Sequence, residues 1–207
     1  MREQIARYVV SLYKDIPMAV YEGLLTVLCL GMIGIIAVYG LNRGWKLIVG
    51  LILAGYVFVI YCSTVIFRTT ADSNGHEFKP FWSYEAIENG RTELITENLM
   101  NVAVFVPVGM MLGLLLKVKD SSTSDSAARP WSLIRARRVL RMPSVWLTTL
   151  IFGLFISVSI EAMQYFYHKG ISETDDVMHN TIGCLLGFMI VGIIKNVKMT
   201  VRSCFCR

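Results

Sequence analysis

The stretch SIEAMQYFYHKGISETDDVMHNTIG, residues 159–183, joins two long apolar runs. It sets Glu161 and Gln164 inside the first run, crosses a short polar bend with Asp175 and Asp176, and re-enters an apolar run at Asn180. Each run approaches the ~20 residues that cross ~30 Å of hydrocarbon at 1.5 Å per residue. Only helices and closed barrels satisfy their backbone inside lipid, and runs this long and unbroken read as helices. The stretch therefore predicts an all-α polytopic membrane bundle. It also raises a second matter, because ionisable groups at membrane depth are expensive and mark a functional-site candidate.

Composition agrees with a membrane bundle. The chain has 207 residues, 55% hydrophobic and only 17% charged, against roughly 25% charged in an average soluble domain. That length accommodates one compact bundle and no separate soluble domain. A cleaved signal peptide is not expected, since the first apolar run is too long for one and no small-residue cleavage site follows it. The five cysteines (Cys29, Cys62, Cys184, Cys204, Cys206) give no disulfide framework. Cys204 and Cys206 lack a second ligand pair for zinc; a palmitoylated tail and an unmodified one both stay open. The net charge of +5 sits in loops beside the apolar runs, so it bears on topology and does not indicate a nucleic-acid partner.

Five spans are predicted, at about 20–41, 45–67, 99–116, 145–167 and 177–194. Asn42, Arg43 and Gly44 are read as a tight turn that makes the first two an antiparallel hairpin. The domain organisation follows: an N-terminal interfacial segment at 1–19, a five-helix membrane domain at 20–195, and a tail at 196–207. Residues 118–144 form a linker on the cytoplasmic side, where WSLIRARRVLRMP interleaves apolar residues with arginine like an interfacial helix on anionic lipid. Lys and Arg divide 13 against 7 between the two sides, which places the N-terminus outside and the C-terminus in the cytoplasm.

With that topology the unusual polar residues gather near the outer surface. Glu161 and Gln164 lie three apart on one helix face, and His168 continues that face. Asp175 and Asp176 precede the fifth helix, where its dipole favours acids; His179 and Asn180 occupy its first turns. Asn98 and Asn101 open the third span, and Arg68 closes the second. Plainer roles stand beside this reading. The aspartates would serve as helix caps, the asparagines as interhelical hydrogen bonds of about 1 kcal/mol each, the histidines as interfacial or capping side chains, and Glu161 as a partner for Arg68. Gly109 with Gly113, and Gly183 with Gly187, have the spacing that lets helix backbones approach closely. Pro107 is expected to kink the third helix and open a polar notch toward the fourth.

NVAVFVPVGMMLG (101–113) and SIEAMQYFYHKGISETDDVMHNTIGCLLG (159–187) resemble the two signatures of VanZ-like membrane proteins, N-x-x-x-F-x-P-x-G and E-x-x-Q followed by D-D-x-x-x-N-x-x-G. VIFRT at the end of the second span and KPFWSY in the outer loop are also similar to forms in that family, so the resemblance covers roughly 56–194. Family members commonly carry an arginine in the bend after E-x-x-Q; here the bend reads Lys169-Gly170-Ile171, and lysine lacks the bidentate fork.

The resemblance implies a protein of the Gram-positive cell envelope that lowers susceptibility to teicoplanin-type lipoglycopeptides, with Phe105, Pro107, Gly109, Gly113, Gly183 and Gly187 structural. Candidate ligand-binding residues are Arg68, Asn101, Glu161, Gln164, Lys169, Asp175, Asp176 and Asn180. Candidate partners are membrane lipids, a lipid-linked cell-wall precursor or the lipoglycopeptide itself. The alternative is a membrane hydrolase or transferase acting on a lipid or lipid-linked precursor, with Glu161 and Asp176 as candidate catalytic groups. No cofactor fingerprint or complete metal motif is evident; His168, Asp175, Asp176 and His179 are the candidate ligands should a divalent metal bind. A transporter would call for internal repeats and midplane sites, and neither is visible.

Overall fold

In the computed structural model the chain is described at residues 5, 6, 10, 16–68, 76–116 and 131–205, without the side chains of 42, 43, 131–143 and 195–205. Most of the expected interfacial segment at 1–19 and residues 118–130 of the linker at 118–144 lie outside the described residues. Five helical segments are long and apolar enough to cross a membrane: Met18–Leu41, Gly44–Ile66, Glu93–Leu115, Ser144–Tyr167 and Thr174–Ile194. The third and fifth begin several residues before the apolar runs do, because Glu93, Glu97, Asp175 and Asp176 are helical although polar.

Helix α1 (Met18–Tyr61) contains the first two spans. It is broken at Gly40, whose φ of 66° and ψ of 162° are not helical, a conformation glycine adopts without a Cβ penalty. The reversal therefore falls just before the expected turn at Asn42, Arg43 and Gly44. The arms run antiparallel: Leu51 packs where a Cβ on Gly31 would stand, and Leu28 lies against Gly55. α1 passes into a π-helical turn, Cys62–Ile66. There the hydroxyls of Ser63 and Thr64 both donate to the Ile60 carbonyl, at 2.9 and 2.8 Å. Such turns leave backbone groups free for other partners and recur at functional sites.

The loop between the second and third spans holds β1 (His76–Glu77) and the short α2 (Trp82–Glu88). After α3 (Glu93–Leu115) comes α4 (Trp131–Tyr167), whose backbone runs without interruption from the segment expected as a separate interfacial helix into the fourth span. β2 (Ser172–Glu173) pairs in parallel with β1, His76 opposite Ser172 and Glu77 opposite Glu173. α5 (Thr174–Phe205) completes the chain. This four-residue ladder ties the loop between the second and third spans to the bend before α5.

The closest packing is between α3 and α5, backbone on backbone. A Cβ on Gly109 would stand 1.8 Å from the Cys184 carbonyl oxygen, one on Gly183 2.1 Å from that of Val102, and one on Gly187 2.0 Å from that of Val106. Both glycine pairs thus meet at one interface, with Phe105, Val108, Leu112, Ile156 and Ile160 buried around it. α3 continues as a helix through Pro107. The glycine seam draws α3 against α5, where Asn101 bonds to Asp176, and Asn101 lines the same polar cavity as Glu161 and Gln164 of α4.

Candidate binding pocket

The second to fifth spans enclose a cavity of about 220 Å³ at the end of the bundle next to the β1–β2 ladder. Its apolar wall is Ile60, Val104, Phe105 and Ile160. Its polar wall is assembled from α3, α4, β2, α5 and the end of the second span. α3 gives Glu97, Asn98 and Asn101; α4 gives Glu161 and Gln164; β2 gives Glu173; α5 gives Asp176 and Asn180. Ser63 and Thr64 of the π-helical turn, with Arg68 after it, complete the lining.

Helix faces explain the convergence. Glu97 precedes Asn101 by four residues and Glu161 precedes Gln164 by three, so each pair shares a face. Asp176 and Asn180 are likewise four apart on α5. Glu161 is 6% exposed and its Oε2 accepts the Glu173 backbone N–H at 2.8 Å. The Asn101 amide donates to Asp176 Oδ1 at 2.6 Å, and that of Asn180 donates to Ser157 Oγ at 2.9 Å. Gln164 Nε2 donates to the Thr64 carbonyl at 3.1 Å, while Gln164 Oε1, buried, has no hydrogen-bond partner. The Thr64 carbonyl accepts only, so it fixes which end of that amide is the donor.

The expected pairing of Arg68 with Glu161 is not formed. Among the described residues the ion pairs are Lys79 with Glu85, at 2.5 Å, and Arg91 with Glu93, at 3.4 Å, both exposed in the outer region. Arg68 is exposed, its guanidinium over Gly170, where a Cβ would stand 2.7 Å from Arg68 Cζ. Gly170 also has φ of 115°, a conformation that favours glycine. Lys169 closes α4 with its N–H on the Gln164 carbonyl, at 2.9 Å, and reaches the Arg68 carbonyl with Nζ, at 2.8 Å. Lys169 thus holds the Arg68 segment from outside and does not line the cavity.

Asp175 and Asp176, adjacent in sequence, do different work. Asp175 is fully buried and accepts from the N–H groups of Phe81 and Ser83, at 2.6 and 3.0 Å, and from the Ser83 hydroxyl, at 2.6 Å. Asn98 reaches the same Ser83 hydroxyl oxygen at 3.1 Å. Asp175 therefore docks α2 onto α5, and His179 supports it through Tyr84, whose hydroxyl lies 2.9 Å from Nε2. His168 sits exposed at the end of α4 with φ of 56°. Neither histidine lines the cavity. Among the described residues no three His, Cys, Asp or Glu side chains group as metal ligands.

Glu97 and Glu173 are the pocket acids that sequence reasoning missed. For Glu97 the signal was its four-residue spacing from Asn101; Glu173 had none, since its placement depends on the β1–β2 ladder. Burial first, then the charges of Asp176 and Glu97, pushes the Glu173 carboxyl up to about 8. Four carboxyl groups and one guanidinium consequently share a small, partly desolvated space.

No curated protein and no solved structure matches the chain. The family model described as VanZ/LLP1 matches residues 47–195, a stretch that contains every wall of the pocket, and the chain belongs to that family.

Proposed function

We propose that this multi-pass membrane protein lowers susceptibility to teicoplanin-type lipoglycopeptides through a ligand held in the pocket at the outer face of a bacterial plasma membrane. In this reading the N-terminus is outside and the C-terminus cytoplasmic. The observation that carries it is the set of acids inside the spans, Glu161 above all, since no packing need puts a carboxyl group there. A cavity of about 220 Å³ is smaller than the roughly 300–1,000 Å³ that drug-sized ligands occupy. It suits a fragment of an envelope molecule better than a whole glycopeptide. Protection would then arise from what the envelope presents to the antibiotic, with a membrane lipid or lipid-linked wall precursor as the partner.

The test is teicoplanin susceptibility, with vancomycin as control, in a sensitive Gram-positive host. Parent and Glu161→Gln proteins are compared at matched membrane levels. Protection by the parent alone supports the reading, and equal protection by both removes Glu161 from it.

A second reading, an enzyme acting on a lipid or lipid-linked precursor, draws on Glu173. A carboxyl group raised to about 8 stays protonated at neutral pH beside other acids, the asymmetry that acid–base catalysis uses. Purified protein incubated with membrane lipid extract and followed by mass spectrometry would reveal product. Identical lipid profiles for parent and Glu173→Gln would count against catalysis.

A further inference from the structure

We propose that the ligand is a zwitterionic phospholipid headgroup whose primary ammonium enters the pocket while its phosphate rests at Arg68. This deepens the pocket reading above and rests on it.

Two independent observations point to a hydrogen-bond donor with positive charge. The first is the lining, where Glu97, Glu161, Glu173 and Asp176 face a single guanidinium. The second is Gln164 Oε1, an acceptor without a partner on a side chain only 3% exposed, on the cavity wall. Its amide cannot flip to supply a donor instead, because Nε2 is committed to the Thr64 carbonyl. A buried acceptor left without a partner is costly, and an N–H of the ligand relieves that. A primary ammonium offers three donors and no acceptor. It therefore suits a wall made mainly of acceptors, and an anion would meet repulsion there.

Two further features narrow the headgroup. Quaternary ammonium groups are held in cages of several aromatic rings, whereas Phe105 is the single aromatic residue on this lining. That favours a primary over a quaternary amine. Arg68 lines the pocket, is exposed, and makes no ion pair among the described residues. Its guanidinium, held over Gly170, is suited to a phosphate one short linker from the ammonium. The pocket lies toward one end of four candidate membrane spans, which favours a membrane lipid as the source.

The experiment uses the full chain in detergent, given dioleoyl phosphatidylethanolamine, phosphatidylcholine or phosphatidylglycerol, or soluble phosphoethanolamine. Retention is read by native mass spectrometry and by the shift in melting temperature. The ethanolamine lipid should bind at least tenfold tighter than the other two lipids and than phosphoethanolamine. Gln164→Leu and Arg68→Gln should each reduce that preference at least fivefold, Arg68→Gln being at an exposed site that leaves folding intact. Equal binding of ethanolamine and choline lipids by the parent overturns the proposal whatever the variants do. Equal binding of phosphoethanolamine overturns the lipid source. A tenfold preference in a protein that gives no antibiotic protection upholds this inference and removes the resistance reading, so the two fail separately.

Discussion

Asn101 donates to Asp176 Oδ1 at 2.6 Å across 75 residues of sequence, tying α3 to α5 at the mouth of the pocket. The bond also links the two halves of the sequence pattern, N-x-x-x-F-x-P-x-G and D-D-x-x-x-N, into one structure. Hydrogen bonds to charged groups contribute about 1.5–3 kcal/mol in net terms. Asn101→Ala should lower stability in detergent by about that amount. Asp176→Asn keeps a neutral acceptor and should lose only about 1 kcal/mol. If Asn101→Ala costs the same in both backgrounds, the pair is not coupled.

The glycine seam makes a graded prediction. At Gly109, Gly183 and Gly187 an added Cβ meets backbone carbonyl oxygens at 1.8, 2.1 and 2.0 Å, which side-chain adjustment cannot relieve. Alanine at any of them should cost at or above the ~1–3 kcal/mol typical of overpacking. At Gly113 the neighbour is the Val191 side chain at 3.0 Å, and at Gly192 nothing lies within 4 Å. Gly113→Ala should be mild and Gly192→Ala close to neutral. Melting temperatures that do not follow this order would refute the seam.

Asp175 and Asp176 should separate experimentally. Removing the Asp175 carboxylate strands the N–H groups of Phe81 and Ser83, at about 1–3 kcal/mol for each unsatisfied group. Asp175→Ala should loosen α2 (Trp82–Glu88) and open the loop that carries it to proteolysis. Asp176→Asn should leave the loop protected while weakening ligand retention. Matching cleavage rates in the two variants would mean that α2 is docked by something else.

Glu173 gives the pH dependence. Its carboxyl is raised from 4.5 to about 8 in the folded protein, so the folded state binds more protons than the unfolded state between those values. Its contribution to stability is fully present below the unfolded value, falls as pH rises through that window and is lost above about 8. Thermal unfolding from pH 5 to 9 should show the parent losing stability on the way up. Glu173→Gln should flatten the curve. An unchanged slope in that variant would assign the dependence to other groups.

How much of this was legible in the chain depends on the range of the interactions involved. The five spans were readable because crossing hydrocarbon demands long apolar helices, and that demand is written in consecutive residues. The i,i+3 and i,i+4 spacings of Glu161 with Gln164 and of Asp176 with Asn180 followed from helix geometry alone. The glycine spacings announced a close approach, but not that α3 and α5 would share it. Tertiary structure decided the rest. It put Glu173 in the pocket through a two-residue parallel ladder, turned Asp175 to a docking role beside a pocket-lining Asp176, and left Arg68 over Gly170 instead of paired with Glu161. Local sequence dictates which residues share a helix face, because that is set by backbone geometry within a turn. Which faces meet, and which acids are left to line the space between them, is set by contacts between residues dozens of positions apart.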